Sequence, residues 1–427
     1  MGIKQLSTVY LFHPNALHTR FHHSLGVATL LRYFLGSLPF DFVQNMGFEN
    51  QLLLTLAGLL HDIGHSAWSH VGEVFPQYYG KKRAHDELSA KLVEGDTRYD
   101  TYFKDSSLPR VRDILRDDEA ERVAELIRGK PPISKTLLRK IQKEENQIKK
   151  KEELANEFQW MGNLIEGPMD FDTADFLRRD ALYTLANPGL VDPYNIAKNV
   201  GVEKTAGVSE LVFLSLPFAE SFLLAPELMY PAVYVESQNL LAEELLLRAF
   251  MKTYDEQKID DFWFSTDEEV LNDMKDSKDK FVQRVVGLMR DRRTYNLVLD
   301  MPFSKITHTT IISNLKSLFD KRYGLLQLEN HIVEECKGKG YTINVDDIVV
   351  STWVWHTEKI PHAKIRIKEG ECVPLAVESE LVDELTRSKY PLSRSKVVIG
   401  TYGLSGDENN AVIKATLSLL KDRQYPC

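Results

Sequence analysis

Cysteine is scarce in this chain. Its three cysteines, Cys336, Cys372 and Cys427, form no CxxC pair and no even-numbered framework. That pattern excludes a disulfide scaffold and points to a reducing cytoplasm. Long apolar runs are missing too, since none approaches the roughly 18–20 residues of a membrane span. The opening MGIKQLSTVY has neither the apolar core nor the cleavage site of a signal peptide. Leu6 stands where a myristoylation signal wants Ser or Thr. A basic excess is also lacking: 53 Lys and Arg face 62 Asp and Glu, a formal charge of −9. Nucleic acid and anionic membrane are therefore poor partners for the chain as a whole, while a local pocket for a small anion stays open. Internal repeats and low-complexity tracts are absent as well.

At 427 residues the chain is long enough for two or more domains. It is organised around Leu52–His70, LLLTLAGLLHDIGHSAWSH, an apolar run broken abruptly by His61-Asp62 and then by His65 and His70. Such a run reads as a buried helix whose end carries polar ligands inward. Adjacent residues on a helix point about 100° apart, so His61 and Asp62 reach one ion only at the helix end. Imidazole nitrogen with carboxylate oxygen suits Mn, Fe, Zn, Co or Ni better than an all-oxygen calcium site. A lone His-Asp pair also serves as an ordinary cap.

Eight of the twelve histidines precede residue 86, a skew that suggests a common task. The spacing predicts a strand at Val9–Phe12 and a helix from His22 to Leu38, with His23 near its start and Pro39 after it. Further helices are expected at Ser89–Val93, Val111–Leu115 and Glu119–Ile127. The charged stretch Arg139–Glu153 reads as a solvated helix with pairs such as Glu145–Lys149. GPMDFDTADFLRRDALYT, 167–184, begins another helix, on which Asp172, Phe176, Arg179 and Asp180 share a broad face. Asp172 is there either a missing ligand or a normal capping acid. Helical patterning returns from Ala219 to Met251 and from Asp267 to Arg292. Beyond about residue 296 short strands and a final helix at Asn410–Lys421 are expected. The expected architecture is a mainly α domain over 1–295 followed by a smaller α+β domain over 296–427.

Three ordered motifs, TRFHHSLGV (19–27), AGLLHDIGHSAWSH (57–70) and MDFDTADFLRRD (169–180), make the chain resemble the HD-domain phosphohydrolases. Within them it is similar to the branch of dGTPases and deoxynucleoside triphosphate triphosphohydrolases. The resemblance begins at IKQL (3–6), runs through the region of Tyr234 and fades near residue 298. It implies a helical HD-domain bundle and a divalent metal (Mn, Fe, Zn, Mg, Co or Ni) held by His23, His61, Asp62 and Asp172. It also implies a group near the scissile phosphate made of His65, His70, Glu73 and His85. In that group a His–acid pair, His70 oriented by Glu73, protonates the leaving oxygen. Gln5, Leu6, Arg20, Asp180 and Tyr234 match positions that bind sugar, phosphate and base. The implied reaction is water attack on the phosphorus next to the sugar of a dNTP, releasing tripolyphosphate.

Three positions that carry positive charge in that branch are Thr173, Pro226 and Ser237 here, and a histidine position is Glu236. These departures motivate two rivals: a phosphatase of nucleoside monophosphates or other low-charge esters, and an inactive nucleotide sensor. Longer members of the branch carry chain upstream of IKQL that forms oligomer contacts and allosteric sites. Here the sequence begins at that motif, which fits either a shortened sequence or a protein without that regulation. The expected partner is a small nucleotide or phosphate ester, with a homo-oligomer as a further expectation.

Overall fold

The helices that frame the centre of the molecule form where the apolar spacing is helical. In the computed structural model, α1 spans Arg20–Ser37, α2 Phe48–Leu60, α3 Ser69–Val74 and α4 His85–Glu94. The structure describes the whole chain except residues 1, 82, 103–110, 143–145, 187–190, 307–308, 321–322, 355–362, 388–393 and 423–427. The expected Glu145 pairing and Cys427 lie outside the described residues. Next come α5, Asp117–Ile127, α6, Gln147–Asn163, and α7, Phe171–Thr184. Asp170 caps α7 by accepting from the Thr173 amide at 2.7 Å. Among the described residues no helix is long and apolar enough to cross a membrane.

Two expectations change in this half. Val9–Phe12 does not form a strand, because Ser7–Leu11 is a 3-10 turn buried on all sides. A run buried on every side leaves no alternation from which to tell strand from helix. Between the helices stands an antiparallel hairpin, β1 Val200–Thr205 and β2 Val208–Phe213, which sequence reading passed over. The 219–251 segment forms two helices, α8, Leu216–Met229, and α9, Ser237–Thr253, joined by a π turn at Tyr230–Tyr234. Pro231 sits in that turn, where its missing N–H cannot continue the α ladder.

Beyond Arg292 the chain forms β3, Asn296–Pro302, then helices α10, Thr309–Asp320, and α11, Tyr323–Gly338. Sequence reading missed those two helices. They are followed by β4, Ile348–Trp353, β5, Lys364–Lys368, β6, Glu371–Pro374, β7, Lys396–Thr401, and α12, Gly406–Asp422. Strands β5 and β6 extend the β1–β2 hairpin through a parallel contact of Phe213 with Ile365. The other sheet runs β3-β7-β4, all antiparallel.

This second sheet separates two cores. Val349 and Val398 pack into the large core formed by the helices of residues 20–290. Ile348, Val350, Val397 and Ile399 face the other way, into a core closed by α10, α11 and α12. Side chains alternate along a strand, so a sheet buried on both faces reads as continuous apolar runs, here IVV and VVI. By the same alternation Trp353, four residues after Val349, leans toward the large core.

One buried carboxyl at this seam titrates far from its usual range. Glu329 on α11 is 1% exposed, accepts the Val350 amide at 2.7 Å and lies 3.2 Å from Arg248 Nη1. Burial pushes its pKa up to about 8; Arg248 and the Val350 amide oppose this, while Glu244 and Asp346 add to it. The raised value means that the folded state holds the proton more tightly than the unfolded chain. Stability from this group is therefore full below about 4.5 and is lost as pH rises toward 8, at up to ~1.4 kcal/mol per pH unit. Urea unfolding of wild type and Glu329→Gln between pH 5 and 9 should show the wild type losing stability relative to the variant. Parallel profiles would contradict the burial effect.

Candidate metal centre and adjoining pocket

Helix α2 ends at Leu60 and delivers His61 as its cap, with Asp62 next. The His61 Nδ1–H donates to Gly58 O at 2.9 Å, which leaves Nε2 with its lone pair facing inward. On α1, His23 is fully buried and its Nδ1–H donates to Asp175 Oδ2 at 2.8 Å. Asp175 is in turn held by Arg179 through contacts of 2.7 and 2.9 Å. A Cβ at Gly26 would lie 1.9 Å from Asp175 Oδ1, so glycine is what lets this carboxylate reach His23.

His23 Nε2 and His61 Nε2 are buried without hydrogen-bond partners among the described residues. Asp172 Oδ1 lies 2.7 Å from the first and 3.6 Å from the second. Asp62 completes the group, 3.8 Å from His23 Nε2 and 3.4 Å from His61 Nε2. Ligands about 2.1 Å from one ion at right angles stand roughly 3 Å apart; His23, His61 and Asp62 lie close enough together to hold one metal ion, and Asp172 stands beside both histidines. Burial pulls the His23 pKa down, yet Asp172 and Asp175 carry it up to about 10. Carboxylates that favour a proton there also favour a cation.

The Asp175–Arg179 buttress was missed in the sequence. Its signal was present: Asp175 follows Asp172 by three residues on the same helix, within reach of one face. Asp175→Ala would leave His23 Nδ1 without an acceptor. It should weaken metal binding 10–100-fold in a competition titration with a chelator, and an unchanged affinity would remove the buttress from the site.

A second group adjoins the first. Glu73 on α3 accepts from His85 Nδ1 at 2.8 Å and from His70 Nδ1 at 3.3 Å, and lies 3.1 Å from His65 Nδ1. These four side chains could also hold an ion by proximity alone. Their ring geometry disfavours it: His65 and His85 stack at 3.8 Å with planes only 13° apart. In-plane lone pairs on nearly parallel rings cannot meet at one point. Burial and the charges of Arg20 and His85 push His65 down to about 4. Burial pulls His85 down, but its hydrogen bond to Glu73 and the charges of Glu73 and Asp62 together raise it. The group can therefore carry a proton on His85 beside a neutral His65. His70 is the exposed member, with a side chain 67% accessible.

The loop joining the two groups is tightly fixed. Gly64 donates its N–H to Ser89 Oγ at 2.8 Å, and a Cβ there would meet His85 O at 2.5 Å. Trp68 and Ser69 adopt left-handed φ of 62° and 53°, and Asp267 accepts the Trp68 amide at 2.8 Å.

Both groups open onto a cavity of about 430 Å³ that Gln5, Leu6, Arg20, Asp180 and Tyr234 also line. Its size lies in the range of small-molecule sites. Arg20 does not present an open fork to it, since it donates to Ser69 Oγ (3.0 Å), Asp62 Oδ2 (2.9 Å) and Gln5 O (3.3 Å). Three of its five N–H donors are engaged by those groups. Asp180 accepts from Tyr234 OH at 2.8 Å and pairs with His18 Nε2 at 2.7 Å, a partner that sequence reading passed over. Of the family's altered positions, Ser237 holds Lys396 Nζ at 2.7 Å and Asp300 at 2.5 Å, so a lysine from β7 stands beside it.

The family model for the HD domain matches residues 20–157, and the model for the HD associated region matches 214–422. Residues 20–157 are thus an HD domain. The chain is similar to the uncharacterized MG461 homolog of Mycoplasma pneumoniae, 28% identical over 260 residues, which cover 60% of this chain and 53% of that protein. The chain spans about half the length of that curated relative. A shorter likeness joins it to the deoxynucleoside triphosphate triphosphohydrolase SAMHD1 of Mus musculus, 35% identical over 96 residues, 22% of this chain and 15% of that protein. A hypothetical protein from Aquifex aeolicus has the same fold, with a TM-score of 0.63 and 19% identity over 97% of this chain and 90% of its own. The HD assignment brings with it the metal-dependent hydrolase superfamily.

Proposed function

We propose that this protein is a metal-dependent phosphohydrolase of nucleotides. The observation that carries the reading is the convergence of His23, His61, Asp62 and Asp172 at the edge of a cavity large enough for a nucleotide. These four would hold the metal. When bound, a divalent ion supplies positive charge to polarise a phosphoryl oxygen and lowers the pKa of water beside it. The chain's own residues do the rest. Glu73 orients His70 and His85, one of which donates the proton to the leaving oxygen, while His65 buttresses His85 by stacking. The remaining donors of Arg20 steer the phosphate, and Asp180 has lone pairs left for a sugar hydroxyl. Gln5 offers a side-chain oxygen without a partner among the described residues.

Charge supports a reading of the number of phosphates. Arg20 is the only Lys or Arg among the described residues lining the cavity, whereas Asp180 and Glu243 line it in addition to Asp62 and Asp172, whose charge the metal would offset. Each charge-assisted contact to phosphate is worth about 1.5–3 kcal/mol, so a pocket this poor in cations favours a nucleoside monophosphate. A second reading, hydrolysis of dNTP to deoxynucleoside and tripolyphosphate, is supported by the likeness to SAMHD1.

The test is a product analysis. Protein stripped and reloaded with Mn, Mg, Fe, Co, Ni or Zn is incubated with dNTPs, NTPs and nucleoside monophosphates, and products are separated by ion exchange. Inorganic phosphate from monophosphates is the expected result, and tripolyphosphate would establish the second reading. No product with any metal would transfer the site to nucleotide sensing without turnover.

A further inference from the structure

One wall of the cavity takes no part in the phosphate chemistry. It is aromatic: Phe176 on α7, Tyr230 and Tyr234 on the π turn, and Trp353 at the end of β4. Tyr230 stands 4.9 Å from Tyr234 at 73° and 6.1 Å from Trp353 at 32°. Phe176 meets Tyr234 edge-on at 6.1 Å. All four rings are half-buried, so they remain partly open to whatever enters. Large rings left facing a cavity gain most from a flat apolar ligand that covers them.

Position along α7 links this wall to the metal centre. Asp172, Phe176 and Asp180 recur every four residues and all line the cavity. One helical turn, about 5.4 Å, separates the carboxylate beside the histidines from the first aromatic ring. A substrate with a phosphate at one end and a ring at the other spans such a distance. Trp353 comes from the far side. The alternation of β4 turns it toward the helical core, although its strand neighbours Ile348 and Val350 serve the second core.

We propose that Trp353, with Tyr230, forms the platform on which the nucleobase stacks, so that the C-terminal sheet supplies a specificity residue to the HD pocket. The inference rests on the nucleotide reading above and gives the β3-β7-β4 sheet a role in substrate recognition. Base–aromatic stacking tolerates any base, so the platform distinguishes nucleotides from base-free phosphates rather than one base from another.

Equilibrium binding tests it on the full-length, Mn-loaded protein carrying Glu73→Gln in every sample, wild type at Trp353 included, so that nucleotides are not consumed during the titration. The four deoxynucleoside monophosphates, the four dNTPs and 2-deoxyribose 5-phosphate are titrated into wild type, Trp353→Ala and Trp353→Phe, with Kd from calorimetry and quenching of tryptophan fluorescence in parallel. Trp353→Ala should weaken the nucleotides that wild type binds by about tenfold and abolish most of the quenching. Its Kd for 2-deoxyribose 5-phosphate should change less than twofold, and Trp353→Phe should stay within threefold of wild type for nucleotides. Should the alanine variant melt well below wild type, Trp353→Leu, which keeps the bulk but not the ring, takes its place with the same expected loss. Wild-type affinity for nucleotides in both the alanine and leucine variants would overturn the platform while leaving the nucleotide reading intact. Binding of 2-deoxyribose 5-phosphate without measurable binding of any nucleotide by wild type would overturn both.

Discussion

Asp62→Ala should empty the metal centre and lower turnover by on the order of a thousandfold or more, the largest loss expected of any single substitution in this chain. Asp62 sits where the two groups meet. One oxygen faces His61 Nε2 at 3.4 Å and His65 Nε2 at 3.3 Å, and the other accepts Arg20 Nη1 at 2.9 Å. Removing it deletes a ligand and leaves Arg20 buried with an unmatched charge. Breaking a buried pair in this way costs about 3–5 kcal/mol, so the alanine variant should also melt earlier. His61→Ala separates the two effects, because it removes a nitrogen ligand without stranding a charge. Both variants should purify with less metal than wild type by elemental analysis, and only the first should lose much stability. Full metal content and full turnover in both would remove the assignment of this centre.

The legibility of this site in the sequence follows from how its parts are encoded. His61-Asp62 ends an apolar run, and an apolar run interrupted by paired polar residues is visible without any fold. The positions of His23 and Asp172 came from motifs, and the fold brings them beside His61 from helices α1 and α7. Asp175 was overlooked because an acid near a helix start is normally a cap, and only the proximity of α1 shows that it grips His23 instead. Arg20 was read only as matching a substrate-binding position of the family. Its engagement with Asp62, Ser69 and the Gln5 carbonyl depends on where the 3–6 segment docks, which no local pattern encodes.

The fold class was readable for a similar reason. Helices such as α5 and α7 carry one buried face and declare it through their spacing. The β1–β2 hairpin escaped notice because its two strands are short and sit within a helical stretch. Helices α10 and α11 lie between strands whose apolar runs dominate the region, and the strand texture was extended across them. A β-rich context is a weak guide to what lies between two strands, since crossover connections are often helical.

Glu73→Gln should lower kcat by about 10²- to 10⁴-fold while the metal content stays at the wild-type level. Glu73 lies at the centre of three imidazoles, 2.8 Å from His85, 3.1 Å from His65 and 3.3 Å from His70. A carboxylate can accept from all three rings at once, whereas an amide has one oxygen to offer and an NH2 that opposes any ring N–H it meets. The glutamine variant therefore keeps the shape of the site but loses the arrangement that aims a protonated ring at the leaving oxygen. Because the four groups act together, adding His70→Ala to Glu73→Gln should cost far less than the two single losses combined. A Glu73→Gln protein with kcat within threefold of wild type would take the proton-donating role away from this group. Loss of metal from that variant would instead make the group part of the metal centre, against the parallel stacking of His65 and His85. Turnover and metal content measured on the same preparation thus separate the group that holds the ion from the group that moves the proton.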